Sequence, residues 1–397
     1  MESVVKNILT SMSSIKTSHR IFLAHMFAAF MVFQGKASMT HLSRYIPVSE
    51  KRFRRHFERE FDHAQFNTQL FYKTNILGKE VIAAIDASFI KKSGKKTEGL
   101  SWFYNGTAGC MQKGIEISLL ALVDIQTNTA YSLEAQQTLD QGDQTRMDSY
   151  ADQVLKHSLT LQQQGVQYLT ADAYYSKSTF VSKVLDSGIQ FIGKLRFDAN
   201  LKWLYQGPYS GCGRPKKYDG KVNTDQDLHR FDDEGKFDDG NHVYSKTVFC
   251  PMLKRNIKLV MLRYLTKKGT GRALLYSTDT ELCARKIVQY YKARFQIEFI
   301  FRDAKQQLGL SDCQSRKKAV INNHINASLA TLNILKIEHQ LSKTTKTENV
   351  ISIRSCKQKK SNQHLTQILF DKLGADLSCQ KVRRIYHEIS EYALIAA

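Results

Sequence analysis

Five residues in one stretch carry the strongest chemical signal in the chain. The run Tyr291 to Lys305 reads YKARFQIEFIFRDAK, and neither Pro nor Gly interrupts it before Gly309. Upstream, Thr278-Asp279-Thr280-Glu281 has the Ser/Thr-x-x-Glu form of a capping box, so the spacing predicts one long helix from Thr278 to Gly309. At roughly 100° per residue, Tyr291, Arg294, Glu298, Arg302 and Lys305 fall within a sector of about 80°, while Phe295, Phe299 and Ile300 point elsewhere. One carboxylate, three cations and a phenol on one face allow two readings. One is a solvated face laced by i,i+4 pairs. The other is a carboxylate that holds a hard metal ion, ringed by cations that hold phosphates.

The second reading needs more acids, and two upstream runs end on them. Glu80-Val81-Ile82-Ala83-Ala84-Ile85-Asp86 is a short apolar run closing on a carboxylate, as a buried strand does. Gln167 to Ala171 reads as a strand ending at Asp172. Around them, Ile115–Val123 and Thr129–Gln137 read as strands, Thr145–Gln164 as a helix, Ser178–Leu185 as a helix stopped by Gly188, and Gln190–Leu195 as a strand. Asp124 also follows an apolar run, but Gln126-Thr127-Asn128 marks it as a hairpin turn. Either aspartate alone would read as a cap on a strand-to-loop turn; the helix motif and the strand order together favour a site.

The gaps between Tyr291, Arg294, Glu298 and Lys305 resemble the signature of DDE-type bacterial transposases, and more narrowly that of the insertion sequence four family. Ile85-Asp86-Ala87-Ser88 and Ala171-Asp172-Ala173-Tyr174-Tyr175-Ser176 look like that family's catalytic strand ends. The order of three strands, helix, strand, helix, strand from about residue 78 to 197 resembles a ribonuclease-H-like core.

The resemblance implies an α/β fold, a ribonuclease-H-like catalytic core interrupted by a β-rich insertion, with an N-terminal helical DNA-binding domain and a helical C-terminal region. It makes Asp86, Asp172 and Glu298 the catalytic carboxylates. In such a sheet the first and fourth strands are neighbours, so their acids converge. Three carboxylates at close range raise one another's pKa. Hard divalent cations remove that cost, so the expected cofactor is Mg²⁺, two ions, with Mn²⁺ able to substitute. The resemblance also puts Tyr291, Arg294 and Lys305 against DNA near the cleaved phosphate; Arg294 and Lys305, one and two turns from Glu298 on the same face, are expected to flank the metal site rather than occupy it. Arg302 shares their face. Lys91, Lys92, Lys95 and Lys96 follow the first acid and are expected to hold phosphates. Relatives stack an unpaired base on a tryptophan in or near the insertion; this chain has only Trp102 and Trp203, with Tyr264 and Tyr276 as possible substitutes.

Charge agrees with a nucleic-acid partner. The chain has 397 residues, with 58 Lys+Arg against 37 Asp+Glu, a net charge of +21. Such a balance implies a polyanion, here double-stranded DNA as inverted repeats and target. A membrane partner is disfavoured, because the longest apolar run, Ile21–Phe33, contains His25 and is too short to span a bilayer. No N-terminal targeting pattern is present. The seven cysteines are scattered, with no Cys-x-x-Cys pair or zinc-ligand spacing, which implies a reducing cytosol and no structural zinc. The expected location is the bacterial cytoplasm, associated with the nucleoid, and the expected working form a homodimer pairing two element ends.

The chain divides by composition into 1–75, 76–197, 198–275, 276–340 and 341–397. In the first part, Met39–Tyr45 and Glu50–Phe57 flank the turn at Ile46-Pro47-Val48-Ser49 and have the shape of a helix-turn-helix, with Ser49 as N-cap. Arg52, Arg54 and Arg55 on its second helix would face phosphates or a groove; a basic bundle that reads no groove is the alternative. Turn residues crowd 198–275, and Gly213-Arg214-Pro215-Lys216-Lys217 within it is a basic loop suited to phosphate through Arg214, Lys216 and Lys217. Residues 341–363 are polar and lysine-rich and read as a linker or arm, followed by two short amphipathic helices. The expected function is cut-and-paste DNA transposition. Its rivals are a DNA-binding repressor with a dormant catalytic site and a metal-dependent nuclease without strand transfer.

Overall fold

The computed structural model describes residues 1–394 apart from 140, 141, 143, 210, 238–239, 267–268 and 343–351. Five helices come first: α1 (Glu2–Ser11), α2 (Thr17–Val32), α3 (Met39–Leu42), α4 (Glu50–Phe57) and α5 (His63–Thr74). The next segment holds β1 (Val81–Lys91), β2 (Ser101–Asn105), β3 (Cys110–Asp124), β4 (Thr129–Thr138), α6 (Arg146–Lys156), α7 (Ser158–Gln163), β5 (Tyr168–Thr170), α8 (Ser178–Asp186) and β6 (Gln190–Leu195). Strands β7 (Lys202–Leu204), β8 (Tyr218–Lys221), β9 (Asp232–Lys236), β10 (His242–Cys250), β11 (Arg255–Thr266) and β12 (Gly269–Ser277) follow. Helices α9 (Ala284–Ala293), α10 (Gln296–Gln307), α11 (Lys318–Ser342), α12 (Ile353–Leu373) and α13 (Gln380–Ser390) complete the chain.

The centre of the sheet runs β4-β3-β1-β5-β6. β1 is antiparallel to β3, β3 to β4, while β5 is parallel to both β1 and β6. Apolar runs explain the placement: Val81 to Ile85 and Ile117 to Val123 are buried almost throughout, as strands covered on both faces must be. The stretch expected as an insertion joins this same sheet. β12 pairs with β6 from Leu274↔Leu195 to Ser277↔Ile192, and β11, β10, β7 and β8 extend the sheet outward from it.

β4 would leave an open edge if helix α11 did not close it. Asn326 accepts from the Ala135 N–H and donates to the Ala135 carbonyl, both at 2.8 Å. Asn333, two turns on, does the same to Ser132 at 3.0 and 2.8 Å. Asn67 donates to the Leu133 carbonyl and Lys336 to that of Ala130. The side-chain amides thus stand in for a neighbouring strand, so the edge offers little to another chain.

Helix α2 is apolar on nearly every side and is correspondingly deep, with Phe27 and Phe30 fully buried. Phe30 and Phe57 meet His324 of α11 edge-on, and Phe71 of α5 packs near Tyr131 of β4. The N-terminal helices therefore share the core of the sheet. α3 is a single turn capped by Ser38, and α4 follows the turn as expected, but Ser49 makes no side-chain cap bond.

Four local expectations are corrected. The strand carrying Asp86 does not stop there; it runs on to Lys91, because β3 continues beside it. The helix expected from Thr278 starts at Ala284 and breaks at Arg294–Phe295. Thr278 is instead tied to β6, accepting from the Phe191 N–H at 2.8 Å and donating to Gln190 at 2.7 Å. At the break the backbone tightens to i→i−3 bonds, Phe295 to Lys292, Ile297 to Arg294 and Glu298 to Phe295. The helix expected over Thr145–Gln164 breaks at His157, whose ring turns to Glu134 of β4 at 2.6 Å. Finally, 353–363 is not a linker but the first half of α12; 343–351, also expected there, lies outside the described residues. Lys357 is buried, its ammonium 3.4 Å from the centre of the Phe33 ring and donating to the Gln307 carbonyl at the C-terminal end of α10. Burial pushes it down to about 7.

Candidate active site

Asp86 and Asp172 come from neighbouring parallel strands. β1 and β5 pair at Ala83↔Leu169 and Ala84↔Thr170. Two residues further along, the same register sets Asp86 beside Asp172 where β5 ends. Asp172 caps the 3₁₀ turn Ala173–Tyr175, its carboxylate accepting from the Tyr174 N–H at 2.9 Å. Asp86 accepts from the Ala87 N–H at 2.8 Å. The turn after β5 is thus what stops one acid at the rim while its neighbour sits inside a longer strand.

The break between α9 and α10 supplies the third side. Glu298 lies in the first turn of α10 and Arg294 in the break itself. The Arg294 guanidinium donates to Glu298 at 3.2 Å and approaches Asp86 to 3.9 Å. Only 8 % of Arg294 is exposed, and its Nε has no partner among the described residues. Its carbon centre lies 5.6 Å from the Tyr291 ring and 5.8 Å from that of Phe295. Arg294 thus stands between Glu298 and Asp86.

Electrostatics binds these groups into one site. Burial pushes the Asp86 carboxyl up to about 7; Arg294 opposes the rise, and Asp172 and Glu298 add to it. Burial also raises Tyr291, with Arg294 opposing and Asp172 and Glu298 reinforcing. Tyr175, three residues after Asp172 and fully enclosed, is held well above the usual tyrosine range by burial and then by Asp86, Tyr150 and Asp172. In the sequence Tyr175 shows only as an aromatic inside the turn that follows Asp172.

The donor chemistry fits a hard divalent cation: three carboxylates, all oxygen, carrying an excess negative charge that one guanidinium only partly offsets. Among the described residues, no three His, Cys, Asp or Glu side chains stand close enough together to hold an ion as they are. Asp86 and Asp172 fit as a ligand pair, with Glu298 at present engaged by Arg294.

The remaining cations divide into inward and outward groups. Lys305 reaches β1 two residues past Asp86, donating to Ser88 Oγ at 2.7 Å and the Phe89 carbonyl at 3.1 Å, and burial lowers its pKa. Lys92 turns inward to the Cys313 carbonyl. Arg302 is exposed, pairs with Asp303 and lies 4.6 Å from the Phe299 ring centre. Lys91, Lys95 and Lys96 are exposed, as are Arg52, Arg54 and Arg55 on α4 and Arg214, Lys216 and Lys217 in the loop before β8. Arg54 is paired with Glu50 and Lys216 with Asp219.

Two of the aromatics considered for base stacking are core residues. Trp203 is buried, donating to Asp227 at 2.9 Å beneath the Arg230 guanidinium, and Tyr276 is fully enclosed. A cleft of about 1540 Å³ lies elsewhere, lined in part by His19, His63, Glu134 and His157, and none of the three acids borders it. Asp86, Asp172 and Glu298 are each only partly exposed. Among the described residues, no helix is long and apolar enough to cross a membrane.

Residues 77–334, well over half of the chain and inclusive of all three acids, match the sequence model of a family described as Transposase DDE domain. No curated protein matches the chain.

Proposed function

The chain belongs to the Transposase DDE domain family, and from that premise we propose that it is a cut-and-paste transposase of a bacterial insertion sequence of the insertion sequence four kind. It binds the terminal inverted repeats of its element, cleaves the DNA there and joins the freed ends to target DNA, two copies pairing two ends. The observation that carries the reading is the register of β1 and β5, which sets Asp86 beside Asp172, with Glu298 facing them from α10. The strand order β4-β3-β1-β5-β6, parallel only around β5, supports a ribonuclease-H-like core.

Asp86, Asp172 and Glu298 are the groups that would hold two Mg²⁺, or Mn²⁺ in their place. When bound, such ions lower the pKa of an attacking water or 3′-hydroxyl and stabilise the leaving oxygen of an in-line displacement. The chain's own residues do the rest. Asp172 is fixed by its turn and Asp86 by its strand, so their separation does not depend on substrate. Arg294 can hold a phosphate through two parallel N–H bonds when DNA arrives, releasing Glu298 toward the aspartates. Lys305 braces β1 beside Asp86 and keeps α10 seated against it. Tyr175 and Tyr291 wall the acids from bulk water, which strengthens every charge interaction inside.

The test is incubation of the purified chain with the DNA that flanks its own gene and Mg²⁺. Nicks at the repeat boundary, lost in Asp86→Asn, are the expected result. Binding without nicks would favour a repressor, and nicks without joined products would favour a nuclease.

A further inference from the structure

Beyond Gly114 the sheet narrows to a two-stranded ribbon. Lys91 is the last residue of β1 to pair with β3, at Gly114, and β2 flanks the same glycine from the other side through Ser101. From there to the turn at residues 106–109, only β2 and the start of β3 remain, paired Trp102↔Lys113, Tyr104↔Met111 and Asn105↔Cys110. One face of this ribbon is braced. Phe103 is buried, the Arg146 guanidinium lies 4.6 Å from its ring centre, and Arg146 also donates to the Trp102 carbonyl at 3.3 Å.

The other face is open and apolar. Trp102 and Tyr104 are each 60 % exposed, Met111 is 50 % exposed, and Lys113 beside them is exposed too. Side chains alternate along a strand, and directly paired residues share a face. Asp86 pairs with Leu119, so the face of Asp86 continues through Ile117 and Ile115 to Lys113 and Met111. Trp102 and Tyr104, their partners, are on it as well. The open aromatic face therefore lies on the same side of the sheet as Asp86, six residues along β3, or about 20 Å at the rise of an extended strand.

We infer that this ribbon is a second DNA-contacting element, which seats in a groove of the bound duplex about six base pairs from the phosphate at Asp86. The inference rests on the reading of that site as one that cleaves DNA. Charge selects the occupant: from residue 91 to 115 the chain exposes Lys91, Lys95, Lys96 and Lys113 against the single acid Glu98, Lys92 being turned inward. Glu98 is engaged within the fold, accepting from the Lys318 N–H at 2.7 Å. A second copy of a chain with net charge +21 would be repelled here, whereas phosphates would be held. A two-stranded ribbon fits the major groove, and the small tip Gly106-Thr107-Ala108-Gly109 lets backbone approach backbone. Trp102 and Tyr104 then cover sugar and base edges while the lysines meet phosphates.

The chain has two tryptophans, Trp102 exposed and Trp203 buried, so fluorescence reports on the ribbon directly. The full-length protein is titrated with a 30-base-pair duplex of mixed sequence, at low salt and without divalent metal, while anisotropy of a labelled duplex reads binding independently. The inference expects emission to quench with the same midpoint as the anisotropy, and the quench to vanish in Trp102→Phe. Trp102→Ala combined with Tyr104→Ala should weaken binding about tenfold, or about 1.4 kcal/mol. Lys113→Ala should lower the log-log salt slope by about one. If the duplex binds and Trp102 emission does not change, the ribbon inference falls while the DNA reading of the active site stands. Emission that shifts with protein concentration and not with DNA would make the face a self-association surface and overturn the inference. A protein that binds no duplex at all overturns the DNA reading, and the ribbon with it.

Discussion

The guanidinium of Arg294 lies 3.2 Å from Glu298, and its other nitrogen lies 3.9 Å from Asp86. It is nearly fully buried, and its Nε has no partner among the described residues. An arginine so placed is an internal counter-ion: it offsets part of the charge that three carboxylates accumulate, and it occupies the ground between two of them. A buried guanidinium with an unused donor is under-satisfied, so a phosphate entering the site has something to offer it. Leaving Glu298 for a phosphate would then coincide with freeing Glu298 for an ion.

Arg294→Gln should tighten Mn²⁺ binding to the DNA-free protein severalfold, because one positive charge is removed from among three acids. The same variant should lose strand cleavage by tenfold or more, about 1.4 kcal/mol of transition-state stabilisation. Arg294→Lys should resemble wild type in metal binding and fall between the two in cleavage, since it keeps the charge and loses the fork. Electron paramagnetic resonance of free Mn²⁺ and single-turnover cleavage measure the two effects separately. Unchanged metal affinity in Arg294→Gln would show that the guanidinium does not compete for the acids.

Asp86 makes stability depend on pH in a direction opposite to an ordinary surface acid. Its carboxyl is raised from 3.8 to about 7 in the folded protein, so between those values the folded state holds a proton that the unfolded chain has released. Stability therefore falls as pH rises through that window and levels off above about 7, by at most ~4 kcal/mol. Asp86→Asn removes the dependence, and the melting temperature of the variant should exceed that of wild type at pH 8 but match it near pH 4. Saturating Mg²⁺ should close the gap at pH 8. Melting curves of both proteins with and without Mg²⁺ check it; equal pH profiles would place the charge of Asp86 in solvent.

The order of the core strands was legible because it rests on local pattern, apolar runs closing on an acid or a turn. What sequence could not supply was where those patterns stop. Asp86 looks like a strand end because the apolar run ends there, but β3 provides hydrogen-bond partners as far as Lys91. Thr278 looks like a cap because of its spacing to Glu281, but its hydroxyl is taken by β6. Lys357 looks like part of a solvated arm because it sits among polar residues, yet the Phe33 ring and the Gln307 carbonyl draw it inside. In each case a partner distant in sequence decides, and local composition holds no trace of it. The same applies to β2, whose Trp102 and Tyr104 alternate over only five residues.

Asn326 and Asn333 should matter to stability although neither approaches the acids. Asn326→Leu leaves the Ala135 N–H and carbonyl without the side chain that serves them, in a buried setting. The expected cost is about 1–3 kcal/mol for each unsatisfied group, and Asn333→Leu should be comparable. Chemical denaturation measures it. Because the β4 edge would then be open, the variants should also aggregate on partial unfolding, which light scattering would detect. A destabilisation no larger than that of a surface substitution would mean water replaces the amides freely.

Removing residues 1–75 looks like removing a module, but Phe27, Phe30, Phe66 and Phe71 are buried in the core that α11 and β4 complete. The truncated chain should fail to fold, with loss of a cooperative melt. Point substitutions avoid this. Arg52 and Arg55 project from α4 while Phe53, His56 and Phe57 hold it down, so Arg52→Ala with Arg55→Ala changes charge without touching packing. If α4 lies against DNA, the double variant should lower the log-log salt slope of duplex binding by about two. It should also reduce the preference for the element's own ends over mixed sequence. Arg54 is already held by Glu50, but the pair is exposed and weak, so Arg54→Ala should add a further, smaller loss. The comparison is the triple change Arg214→Ala, Lys216→Ala and Lys217→Ala in the loop before β8. A full salt slope and full end preference in the α4 variant, with both reduced in the loop variant, would move recognition from the N-terminal helices to that loop.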